Sequence, residues 1–162
     1  MSMASQILLM ISRADILEVA EGPEQKDLFR LLAWLTRHGF HLLATAPMPD
    51  QVDSKERWLK GGGDASLVGP DSIRSRIDEA GGTLDGVYYV PHSFFSQNRN
   101  RTNSLMDMMQ RYSVQPASSY LLSSSKKWVE AAQALEIRAT YLGGDVSLIA
   151  ELKSLRERAE EA

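Results

Sequence analysis

Five apolar residues in a row, Ile7 to Ile11, stop at the polar triplet Ser12-Arg13-Ala14. A run that short reads as a strand buried on both faces rather than a helix. Downstream the apolar period changes. Leu28, Leu31, Leu32 and Leu35 recur at i, i+3, i+4 and i+7, the stripe of a helix lying on a sheet. That helix opens at Gly22-Pro23-Glu24, with proline early and an acid in the first turn, and closes at Gly39 with His38 in its last turn. Phe40 to Thr45 is a second short apolar run, and Pro47 and Pro49 forbid its continuation.

Residues 50–84 carry weaker signals. Asp50 to Lys60 reads as a helix in which Val52, Trp58 and Leu59 are only roughly in phase, and Gly61-Gly62-Gly63 as a linker. No lysine-serine pair follows those glycines, so they are not a phosphate-cradling loop. Pro70-Asp71-Ser72 opens a helix bearing Ile73, Ile77 and Ala80, ended by Gly81-Gly82. Val87 to Val90 is a third strand, and Pro91 to Arg101 a polar loop. Thr102 or Asn103 caps a helix with Leu105, Met109 and Tyr112 on one side. Tyr120 to Leu122 is a fourth strand ending in Ser123-Ser124-Ser125, followed by a helix marked by Trp128, Val129, Ala132 and Leu135. Arg138 to Leu142 is a fifth strand. Asp145 begins a last helix with Leu148, Ile149, Leu152 and Leu155, frayed over residues 157–162. Strands alternating with helices predict a single α/β domain over 1–162, its parallel sheet covered on both faces. Chemistry in such a sheet sits outside the carboxyl ends of the strands, which is where Ser12 to Asp15 fall.

Composition narrows the function. The chain is 43% apolar and 24% charged with a net charge of −3, an ordinary globular balance that gives no general reason to expect nucleic acid. It has no cysteine, which excludes disulfides, thiol catalysis and cysteine-ligated zinc. The opening Met1 to Gln6 has no basic region and the apolar run after it is five residues, so it reads as neither a signal peptide nor a membrane span. The expectation is a cytoplasmic protein with no membrane partner.

The stretch Asp85-Gly86-Val87-Tyr88-Tyr89-Val90-Pro91-His92, with Ser119-Tyr120-Leu121-Leu122 further on, resembles the histidinol-phosphatase and D,D-heptose 1,7-bisphosphate phosphatase branch of the haloacid dehalogenase (HAD) superfamily. The resemblance runs from residue 7 to residue 142. It implies a HAD-like Rossmannoid three-layer domain with a central parallel sheet of about five strands and no sizeable cap domain. It also implies magnesium and an aspartyl-phosphate intermediate, but the residues that would carry them have changed. The family's aspartate nucleophile falls on Ser12 and its general acid and base, two residues on, on Ala14. Its hydroxyl residue after the second strand is kept as Thr45. Its lysine falls at Arg99 or Arg101. Its glycine-aspartate pair and following acid after the fourth strand become Ser123, Ser124 and Trp128. The zinc loop of some members needs cysteines, and here His92 stands alone.

Magnesium wants one or two protein carboxylates directly, and phosphoryl transfer to a side chain needs a nucleophile with a proton partner. Ser12, Ala14, Ser124 and Trp128 supply none of these. The expectation is a catalytically inactive phosphatase-like protein with a binding or regulatory role, without magnesium or zinc. The alternative is a divergent phosphatase acting on a small phosphorylated metabolite, with Asp15 as the displaced acid. A metal-free site for a phosphate-bearing ligand would draw on Ser12, Arg13, Thr45, Arg99, Arg101, Ser123, Ser124 and Lys126, at helix starts and loops of the carboxyl edge. The bland alternative is that these cations are solvated surface, as most are.

Other residues take bland readings. His38 and His41 are surface histidines, Met106, Met108 and Met109 fill core gaps, and Trp34, Trp58 and Trp128 are partly buried. Phe94-Phe95 in a polar loop suits either a protein interface or packing on the domain's own edge. A protein partner and a homo-oligomer both remain open.

Overall fold

The computed structural model describes residues 6–47, 72–90 and 97–161. Five parallel strands run in the order β3-β2-β1-β4-β5: β1 Ile7–Ser12, β2 Phe40–Pro47, β3 Gly86–Val90, β4 Ser119–Ser123 and β5 Arg138–Tyr141. Six α-helices stand among the described residues: α1 Arg13–Ala20, α2 Gln25–Arg37, α3 Ile73–Glu79, α4 Gln97–Tyr112, α5 Lys126–Ala134 and α6 Leu148–Glu161. A 3-10 turn, Pro116–Ser118, leads into β4. No helix among the described residues is long and apolar enough to cross a membrane.

Strand β1 is central and organises both faces. Leu8, Leu9, Met10 and Ile11 have no exposed surface. Because side chains alternate across a strand, Leu9 and Ile11 enter one core with α1, α2, α3 and α6, while Leu8 and Met10 enter the other with α4 and α5. Burying each such side chain is worth about 1.5–3 kcal/mol. The apolar stripe of α2, Leu28, Leu31, Leu32 and Leu35, is buried in the first core, as its spacing predicts. Ser72 caps α3 by accepting the Ser75 amide at 3.1 Å, and Gly82 follows that helix so closely against Ala33 of α2 that a Cβ would clash.

Five boundaries differ from the sequence reading. Residues 13–20 form α1, immediately after β1; with two buried apolar positions, Ile16 and Ala20, they show too little periodicity to mark it. Strand β2 runs on through Pro47, because β1 pairing ends at Ser12 opposite Thr45 and the last two residues pair with β3 alone. Helix α4 begins at Gln97, so Arg99 and Arg101 lie in its first turns rather than in a loop; its polar start has no apolar stripe to announce it. Ser147, not Asp145, caps α6, accepting the Ala150 amide at 3.1 Å. The helical backbone runs to Glu161, with Ala159 against the core and an Arg156–Glu160 ion pair at 3.3 Å. Met108 and Met109 are core, whereas Met106 is 47% exposed. Residues 50–71, with the expected helix, the three glycines and Trp58, lie outside the described residues, as do His92 and Phe94-Phe95.

The amino edge and the β3 side are tied by polar pairs. His41 Nδ1 lies 3.1 Å from Asp85 Oδ2, with its ring against Tyr112, and His38 stacks on Trp34. Neither histidine approaches the carboxyl edge. Tyr88 of β3 donates its phenol to Asp107 of α4, which also accepts from Arg111. Burial and then the Asp107 hydrogen bond push the Tyr88 phenol from 10.0 up to about 12. Burial and then Asp85 raise Tyr112 to about 12. The Tyr88 bond holds Asp107 below the usual carboxylate range. A raised phenol contributes stability below pH 10 that is lost as pH climbs through 12, and a lowered carboxyl loses its share on acidification. An absorbance titration of phenolate should therefore show two tyrosines ionising near pH 12. Asp107→Asn should bring Tyr88 to lower pH and leave Tyr112 in place.

Candidate functional site at the carboxyl edge

The parallel register sets one row of residues straight across the sheet. Tyr88 pairs with Thr45, Thr45 with Ser12, and Ser123 with Tyr141. Ser12 and Ser123 follow the last β1–β4 register pair, Ile11 and Leu122, and close the row. All five bear hydroxyls. By alternation they face the α4–α5 side, as Leu8, Met10, Leu43 and Leu121 do. Sequence reasoning singled out Ser12, Thr45 and Ser123 but missed Tyr88 and Tyr141, whose place in the row depends on strand register.

The centre of the row is hydrogen-bonded to itself. Ser12 Oγ and Ser123 Oγ lie 2.7 Å apart, and the Ser125 amide donates to Ser123 Oγ at 3.0 Å. Ser123 is 1% exposed and Thr45 7%, so these polar groups sit in a medium where an unmet hydrogen bond is costly. Ser12 also stands at the start of α1 and Ser125 at the start of α5, yet neither side chain caps its helix. The hydroxyl of Ser12 is committed to Ser123 instead.

Asp15 completes the arrangement. Its position in the first turn of α1 suits a negative charge, and its carboxylate Oδ2 accepts the Ser124 amide at 2.9 Å. The side chain bridges the β1–α1 crossing to the β4–α5 crossing and is 6% exposed. A first-turn acid one residue past the family's acid position was the available signal for this. Ala14, in the acid position itself, points into solvent.

The basic candidates lie on the helices that begin at this edge. Arg13, half-buried, begins α1. Arg99 is exposed and Arg101 half-buried on α4, the crossover that leaves β3; the Arg101 Nε is shielded from solvent and makes no hydrogen bond. Lys126, exposed at the start of α5, holds its ammonium 5.4 Å from the centre of the Tyr141 ring. That ring lies so close to Gly143 that a Cβ there would run into it. Ser124 is exposed. Trp128 packs half-buried on the α4–α5 core, the structural role its type suggests. The structure thus joins Ser12, Ser123 and Ser124 directly, sets Thr45 beside Ser12, and leaves the four cations on the flanking helices.

The architecture matches a solved structure. Over 94% of this chain and 99% of the other, it superposes with a TM-score of 0.65 on D,D-heptose 1,7-bisphosphate phosphatase from B. bronchiseptica complexed with magnesium and phosphate, at 15% sequence identity. The fold is HAD-like. No protein-family model and no curated protein matches the sequence. Ser12, Thr45 and Ser123, the positions taken from the resemblance, lie towards the carboxyl ends of β1, β2 and β4.

Magnesium, which that fold implies, can be tested against the donors present. Ser12 and Ser124 are neutral, and Trp128 has no oxygen to offer. The Asp15 Oδ2 is already taken by a backbone amide. Among the described residues no group of three or more His, Cys, Asp or Glu comes together to hold a metal. Among the described residues this donor set is poor in the direct carboxylates that a hard dication takes. The Ser12–Ser123–Ser125 network predicts a measurable cost for its removal. Ser123→Ala leaves the Ser12 hydroxyl and the Ser125 amide without their partner, and denaturant unfolding should show a loss of about 1–3 kcal/mol.

Proposed function

We propose that this chain is a catalytically inactive relative of the HAD-like phosphatases, a binding or regulatory protein with a metal-free anion site at its carboxyl edge. The observation that carries the reading is the buried Asp15 carboxylate seated on the Ser124 amide. That end of the sheet already accepts an anion, and it does so with a backbone amide. A buried carboxylate is tolerated where it is hydrogen-bonded. The place is therefore suited to a phosphate oxygen, with Ser12, Thr45 and Ser123 as neighbouring hydroxyls. Arg101, whose shielded Nε has no acceptor, and Arg13, Arg99 and Lys126 supply positive charge on the rim.

The same geometry argues against phosphoryl transfer. Ser12, at the nucleophile position, is hydrogen-bonded to another hydroxyl, and among the described residues no base is hydrogen-bonded to it. Ala14 cannot protonate a leaving group. Losing both functions normally costs several orders of magnitude in rate.

Hydrolysis of p-nitrophenyl phosphate should stay at background with and without magnesium. Calorimetric titration with inorganic phosphate should show weak binding by the native chain. Asp15→Asn, which removes the internal competitor, should bind about tenfold more tightly, roughly 1.4 kcal/mol. Absence of heat with both proteins would eliminate the anion site. Magnesium-dependent turnover abolished by Asp15→Asn would favour the second reading, a divergent phosphatase for a small phosphorylated metabolite.

A further inference from the structure

We propose that Asp15 has taken over the bracing role that a divalent cation plays in a phosphatase of this fold. The resemblance to these phosphatases implies acids at the end of the first strand and after the fourth, some of them holding a metal between the two crossings. Here the first of those positions is Ser12 and the others are Ser124 and Trp128, so the metal-mediated tie has lost its ligands. The two crossings are nevertheless joined twice. Ser12 Oγ meets Ser123 Oγ at 2.7 Å, and the Asp15 Oδ2 accepts the Ser124 amide at 2.9 Å.

The replacement is specific to this geometry. Asp15 lies in the first turn of α1, and α1 begins directly at the end of β1 without an intervening loop, so its carboxylate reaches across to β4. At 6% exposure it is shielded from the water that would otherwise weaken the bond. A charge-assisted bond from carboxylate to backbone amide is stronger than a neutral one. Its acceptor charge is one that a dication would otherwise recruit. With Oδ2 engaged and neutral hydroxyls around it, the site has exchanged a metal-held edge for a self-held one. The edge is then closed and ordered without any metal, and magnesium gains nothing by entering it.

Three measurements on the whole chain test this, and none depends on phosphate binding or turnover. Thermal unfolding of the native protein in magnesium chloride and in a chelator should give the same melting temperature. Asp15→Asn should lower it by about 2–8 °C. In proton–nitrogen correlation spectra, the Ser124 amide should sit downfield in the native protein and move upfield in Asp15→Asn, with Asp15→Glu partly restoring it. Should the asparagine variant fail to fold, Asp15→Glu decides, because moving the carboxylate by one methylene should shift the Ser124 amide. Magnesium stabilising the native chain but not Asp15→Asn would overturn the inference, since Asp15 would then be a metal ligand. So would a Ser124 amide that neither substitution moves. The proposed anion site stands or falls separately, on the phosphate titration.

Discussion

Strand β1 is hydrogen-bonded to a neighbour on each side and buried on both faces, so nothing at its end can be left to solvent at no cost. Every polar group that meets the carboxyl edge there must find a partner from an adjoining crossing. In this chain the partners are Ser123 for Ser12 and the Asp15 carboxylate for the Ser124 amide. The Ser12–Ser123 pair and the Asp15–Ser124 bond therefore join the same two crossings.

Polarity along the sheet follows from the same constraint. Four of the five residues in the cross-strand row, all but Tyr88, lie in the last strand pairs before the carboxyl edge, where apolar side chains give way to hydroxyls. Below the row the two cores are continuous. Leu9, Ile11, Leu42 and Leu122 fill one side, and Leu8, Met10, Leu43 and Leu121 the other. The outer strands then anchor their polar ends to helices, Tyr88 through Asp107 of α4 and Tyr141 beneath Lys126 of α5. Rigidity of the edge thus comes from hydrogen bonds laid over a close-packed base.

The alternation of strands and helices was legible because it is written in apolar period, which is local. Strands β1, β3, β4 and β5 fall within a residue or two of where their runs predict, and the stripe of α2 is buried as spaced. What escaped was whatever depends on neighbours distant in sequence. Helix α1 is short and its one buried charge looks like a surface residue until β4 is beside it. Pro47 belongs to a strand because β1 ends early, a fact of register. The polar opening of α4 carries no stripe at all. For the candidate site, Ser12, Ser123 and Ser124 were visible as substitutions in a pattern. The commitment of Asp15, at a separation of 109 residues from its partner, was not.

The account turns on whether this edge still recruits a divalent cation. Manganese, which substitutes for magnesium and is paramagnetic, gives the most direct reading. Electron paramagnetic resonance of manganese titrated into the native protein should show the full free-ion signal at millimolar concentrations. Attenuation of that signal at one equivalent, restored by Asp15→Asn, would contradict the account and return Asp15 to the role of a metal ligand.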